Sequence, residues 1–164
     1  REPLNFEAAT RASGFVARSG YDGEPGPPSW GIQVFPRFLA GTGRQAGPSS
    51  LSLWQDLESL MAFSYTGIHA EALKHARQWN VKQQWPPLTL FWVEAGQLPQ
   101  WQEAVLRFEH LADRGPSATA FTFKQAFDPS GRPYVIDRAR VKDIAAANAQ
   151  GQAELLEIVR GLPV

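Results

Sequence analysis

An α+β fold, with helices packed on one face of an antiparallel sheet, is what this sequence predicts. Strand-like stretches alternate along the chain with amphipathic helical ones. The strand-like stretches are short and bounded by Gly and Pro, whereas the helical ones repeat apolar residues every three or four positions. The order helix, strand, loop, strand, helix, strand, helix, strand, helix suits a split β-α-β arrangement of the ferredoxin type. That arrangement needs one more strand, expected before residue 5 in the intact protein and paired at the centre of the sheet.

The elements follow in order. "FEAATRASG" reads as the tail of a helix closed by Gly14, the residue type that best adopts a left-handed C-terminal conformation. "GFVARSGY" is a short strand with Phe15 and Ala17 on one face and Val16 and Arg18 on the other. "DGEPGPPSWG" holds too much Gly and Pro for a regular element. "IQVFPRFL" is expected as an edge strand, because Pro36 would interrupt a central one. "AGTGRQAGPSS" is a second loop, and "LSLW" a second inner strand.

Asp56 is the expected N-cap of the next helix, whose buried face runs through Leu57, Leu60, Met61, Ser64, Tyr65 and Ile68. Gly67 predicts a kink there, or two successive helices. "LTLFWVEAG", apolar on both faces, is expected as a central strand. Pro99 opens the following helix and Gly115 stops it. "TAFTFKQAF" is the last strand, with Phe121 and Phe123 on one face. "VKDIAAANAQGQAELLEIVRG" is a C-terminal helix broken near Gly151.

The totals exclude several functions. Sixteen basic and sixteen acidic side chains cancel, so no overall field attracts nucleic acid or an anionic membrane. No apolar run approaches the roughly 18 to 20 residues of a membrane span. The absence of cysteine removes disulfides, thiolate nucleophiles and zinc-thiolate sites, and suits a cytoplasmic protein. No phosphate-binding loop, dinucleotide fingerprint or G-x-S-x-G elbow occurs. Asp56 and Glu58 read as helix N-terminal residues, where the dipole favours negative charge.

Three histidines remain. On one straight helix Tyr65 and His69 would lie about 40° apart and stack, while His69 and His75 would diverge by about 120°. His75, beside Lys74 and Arg77 and one turn after Glu71, reads as a surface residue paired with that glutamate. His110, among Glu103, Arg107 and Arg114, reads the same way. His69 lies on a partly apolar face. It is either a buried histidine satisfied by one hydrogen bond, or a base or metal ligand with a phenol in reach.

The block "LSLWQDLESLMAFSYTGIHAEALKHARQW" carries S-L/V-W, D/E-x-L-E-x-L, F-x-Y, H-A-E-A-L and R-x-W. A second block runs from "WVEAG" through "EAVLRFEHL" and "GP" to "AFTF". Together with "GFVARSGYDG" these resemble the bacterial domain-of-unknown-function 3291 family of the dimeric α+β barrel superfamily, over residues 5 to 127. Ser52, Leu53, Trp54, Asp56, Phe63, Tyr65, His69 and Trp79 are also similar to spheroidene monooxygenase, a haem-associated oxygenase.

The resemblance implies a ferredoxin-like domain over residues 1–128 that pairs as a homodimer, with residues 129–164 a helical extension. It implies a small-molecule enzyme, monooxygenase-like, acting on an apolar or aromatic substrate in a pocket between sheet and helices. His69 would be its base or the axial ligand of a haem, and Tyr65 would orient His69. Trp54, Trp79, Trp92, Phe121 and Phe123 would be walls, and Arg18 would hold a carboxylate, propionate or phenolate. The long 21–50 insertion would be a lid. A cofactor-free isomerase or cyclase and a non-catalytic ligand-binding module are the alternatives. An ordered polar partner on His69 separates chemistry from mere binding.

Overall fold

Helix α1 (Glu2–Arg11) leads through a turn into β1 (Phe15–Arg18), and β2 (Ser52–Trp54) returns beside β1 in a two-stranded sheet. Helices α2 (Leu57–Tyr65), α3 (Gly67–Trp79) and α4 (Trp101–Arg114) follow. A hairpin of β3 (Ala126–Phe127) and β4 (Pro133–Tyr134) precedes α5 (Arg138–Gly151) and α6 (Ala153–Gly161). These come from a computed structural model that describes residues 2–21, 23–43, 47, 49–79 and 85–162, without the side chains of 76–79. The architecture is α+β. Among the described residues the strands form two two-stranded sheets rather than the single sheet expected.

The chain divides into two compact units. Unit 1 comprises Arg1–Ala17, Trp54–Gln83 and Ile136–Val164. It is chiefly helical: α5 packs on α2, α6 on α3, and α1 on both α3 and α6. Ala8, Ile68, Leu155 and Val159 are its buried cluster, with Leu4, Phe63 and Leu156 packed against it. Most expected helix ends are present, but Pro99 does not open α4, which starts at Trp101 with Gln100 as its N-cap. Asp56 accepts the Ser59 N–H at 2.8 Å and caps α2. Gly14 ends the first turn at φ +77°, in close approach to the Ser59 side chain that any Cβ would obstruct. The α2–α3 kink falls at extended Thr66 and left-handed Gly67, and the C-terminal break falls at Gln152, one residue beyond Gly151.

Unit 2 comprises Arg18–Leu53 and Gln84–Val135. Buried Ser19 organises it: its Oγ accepts from Trp30 N–H at 2.9 Å and Trp101 Nε1–H at 2.8 Å, and donates to Gly20 O at 2.7 Å. That hydroxyl ties the Gly/Pro-rich loop to the start of α4. Gly20 N–H also donates to Pro28 O at 3.1 Å, so the first half of the insertion is pinned within its own unit.

Three expected strands are corrected here. Residues 32–39 are not an edge strand; Pro36 (φ −64°, ψ 143°) caps a 3-10 helix over Arg37–Thr42. Proline's fixed φ and missing N–H suit a helix start. Residues 88–96 make one isolated antiparallel bridge, Leu90 opposite Phe121, through two 2.9 Å bonds. The segment around Phe121 turns tightly at Ser117–Ala120 and Thr122–Gln125, so it offers no straight edge along which a ladder could extend. Only Ala126–Phe127 of the predicted last strand is regular, paired antiparallel to Tyr134 and Pro133. Among the described residues no helix is long and apolar enough to cross a membrane.

Candidate functional site

Four rings of unit 1 form a row. Phe15 meets Trp54 edge-on, with centroids 5.2 Å apart and planes at 79°. Trp54 lies 5.0 Å from Phe63 at 30°, and Phe63 lies 5.3 Å from His69 at 48°. Such pairs add about 0.5–1.5 kcal/mol each beyond area burial. All four side chains are half-buried, so the row backs onto the core and keeps an accessible edge. Sequence supplies it from four elements: the alternation of β1 presents Phe15, the end of β2 presents Trp54, the inner face of α2 presents Phe63, and α3 presents His69.

His69 closes the row in a defined state. Its Nδ1 lies 2.7 Å from the Ser64 carbonyl oxygen. A carbonyl can only accept, so Nδ1 carries the proton and Nε2 keeps its lone pair. The helix break makes this bond. Thr66 ends α2 in extended conformation and Gly67 (φ +56°) turns the chain back, which brings His69 onto a carbonyl that α2 leaves unpaired. Burial lowers the His69 pKa from its ordinary 6.5, and the Ser64 bond only partly opposes that shift. The imidazole is therefore neutral at pH 7. Among the described residues Nε2 has no hydrogen-bond partner.

Tyr65 does not share a helix with His69. It is the last residue of α2, 53% exposed, and the break at Thr66 removes the i, i+4 stacking that a continuous helix would impose. Glu71 accepts from Lys74 at 2.6 Å and Arg160 at 3.4 Å, the cations that occupy the carboxylate expected to pair with His75. His110 is exposed, as expected.

The remaining predicted site residues lie elsewhere. Arg18 is held by Glu24, with both side chains mostly buried; Nη1 donates to Oε2 at 3.0 Å and Nη2 to Oε1. That bond to Arg18 pulls the Glu24 pKa below its usual value. The carboxylate Arg18 was expected to hold is thus one from its own chain. Phe121 (0% exposed) and Phe123 (8%) are core residues of unit 2 and offer little surface to a ligand. Trp92 is half-buried, with Nε1 donating to Phe127 O at 2.7 Å. The Trp79 side chain lies outside the described residues. Among the described residues no group of three or more His, Asp or Glu side chains is placed to hold a metal ion.

Sequence reasoning overlooked the burial of Glu58. It is 1% exposed, accepts Asp137 N–H at 3.0 Å, and has Arg140 Nη1 3.9 Å from Oε2. Arg140 also donates to Asp56 at 2.5 Å, and Asp137 caps α5 through the N–H groups of Ala139 and Arg140. The two acidic residues at the start of α2 therefore anchor the start of α5. The available signal was spacing: Glu58 lies three and four residues before the buried Met61 and Ala62, on the same helix face.

Residues 1–137 match the model of a family described as a domain of unknown function, DUF3291. No curated protein and no solved structure matched the chain.

Proposed function

This chain belongs to the DUF3291 family, and from that premise we propose a monooxygenase-like enzyme that takes an apolar or aromatic small molecule along the ring row, with His69 as proton acceptor. The observation that carries the reading is the 2.7 Å bond from His69 Nδ1–H to Ser64 O. It fixes the tautomer, leaves Nε2 as the basic atom, and lies at the C-terminus of α2, where the dipole favours the imidazolium formed on proton uptake. Burial keeps the ring unprotonated and ready. A planar substrate would stack beside Trp54 and Phe63 and deliver its proton to Nε2. Activity should then rise with pH to a plateau entered below 6.5.

A second reading has one specific support. A backbone-anchored Nδ1–H is also how metal-binding histidines are oriented, so His69 Nε2 would hold the iron of a haem, which would supply dioxygen chemistry. That reading rests on His69 and the ring row alone, because Arg18, already bound to Glu24, belongs to the other unit. The ferredoxin-like dimeric α+β barrel remains part of the proposal, and light scattering across a tenfold concentration range should give a dimer mass. A monomer mass throughout would remove it.

The test is His69→Ala beside His75→Ala, with folding checked by circular dichroism. Oxygen uptake on a panel of hydroxylated aromatics should fall by roughly 10²–10⁴-fold in His69→Ala only. A Soret band after haem reconstitution that weakens in the same variant would instead favour the haem. A folded His69→Ala protein with unchanged spectrum and turnover would reduce His69 to a packing residue that satisfies the Ser64 carbonyl.

A further inference from the structure

Unit 2 carries a surface cleft of about 290 Å³ whose walls include Trp92, Val93, Glu94, Leu98, Glu103 and Arg107. The volume falls near the lower end of the range for small-molecule sites, roughly 300–1,000 Å³. His69 is not among its lining residues.

Charge decides what would enter it. Arg107 is already committed: Nε and Nη2 donate to Glu103 Oε1 at 3.0 and 2.8 Å, and Nη1 donates to Thr119 O at 2.7 Å. Its guanidinium also lies over the Phe91 ring, 4.7 Å from the centroid. Arg107 and Glu103 therefore cancel. Glu94 remains, exposed, and among the described residues its carboxylate has no salt-bridge partner. Beside it stand the Trp92 indole, held by its bond to Phe127 O, and Leu98, 50% exposed. One uncancelled carboxylate next to an anchored indole and an apolar side chain repels anions and matches a cation with a hydrocarbon body.

We propose that this cleft binds a small organic ammonium ion, its charged group on Glu94 and its apolar part against Trp92 and Leu98. The ammonium donates hydrogen bonds to the carboxylate, and the indole face adds cation–π attraction. Neither interaction draws on the chemistry assigned to His69.

The test titrates the intact protein with benzylammonium while following the Trp92 indole N–H resonance, assigned through Trp92→Phe. Benzylammonium should shift that resonance saturably, with phenylacetate causing no shift and benzyl alcohol binding several-fold more weakly. Glu94→Gln, a surface change that leaves the fold intact, should weaken benzylammonium about two- to fivefold, the scale of an exposed ion pair. Equal binding of benzyl alcohol, tighter binding of phenylacetate, or indifference to Glu94→Gln would overturn the proposal.

Discussion

Gly67→Ala tests the geometry that places His69. Gly67 has φ +56°, a conformation that costs an L-residue about 1–2 kcal/mol. A Cβ there would lie 3.4 Å from Gln152 Oε1, an ordinary contact, so no clash adds to the backbone cost. At about 2–4 °C per kcal/mol for a chain of this size, the melting temperature should fall by roughly 2–8 °C. Gly41→Ala, whose Cβ would meet nothing within 4 Å at a position without positive φ, is the control and should not destabilise. The chain can relieve the strain by shifting the start of α3, which draws Nδ1 away from Ser64 O. Nitrogen-15 shifts of the imidazole should then report a growing Nε2–H tautomer, beside a thermal melt by circular dichroism. If Gly67→Ala melts with the wild type and keeps its tautomer, the claim that this glycine positions His69 fails.

Two further outcomes follow from other parts of the structure. Asp128 accepts from Ser130 Oγ–H, from the N–H groups of Ser130 and Arg132, and from Arg132 Nε–H, and these bonds, with Ser130 Oγ–H foremost, lower its pKa to about 2. A depressed carboxylate stabilises above its unfolded pKa, so the hairpin contribution should be intact above about pH 4 and lost as pH falls through about 2. Hydrogen exchange at Ala126 and Tyr134 reads this, and Asp128→Asn should abolish the pH dependence. Phe121→Ala removes a wholly buried ring beside Trp92 and Phe127 and should cost about 3–5 kcal/mol in urea unfolding. A loss below about 1 kcal/mol would mean the site collapses around the deletion.

What sequence alone determined here is local. Asp56 as a cap, Gly14 and Gly115 as left-handed or turn-forming stops, the kink at Gly67 and the break beside Gly151 are all where residue chemistry put them. Each depends on the dihedral freedom or hydrogen-bonding reach of a residue and its immediate neighbours. Its neighbours in sequence single out His69 from His75 and His110, but the ring it meets, Phe63, comes from the preceding helix.

Tertiary structure decided whatever needed a distant partner. "LTLFWVEAG" has the composition of a central strand, but a ladder requires a straight partner, and the segment around Phe121 turns instead. Arg18 looks available until the loop brings Glu24 to it, and Glu58 looks solvated until α5 covers it. The ring row joins residues from β1, β2, α2 and α3, and the tautomer of His69 depends on a carbonyl exposed by the end of a different helix. Periodicity records which face a side chain takes along its own element. Which group meets that face is set by chain closure, and that is where the tautomer of His69 was decided.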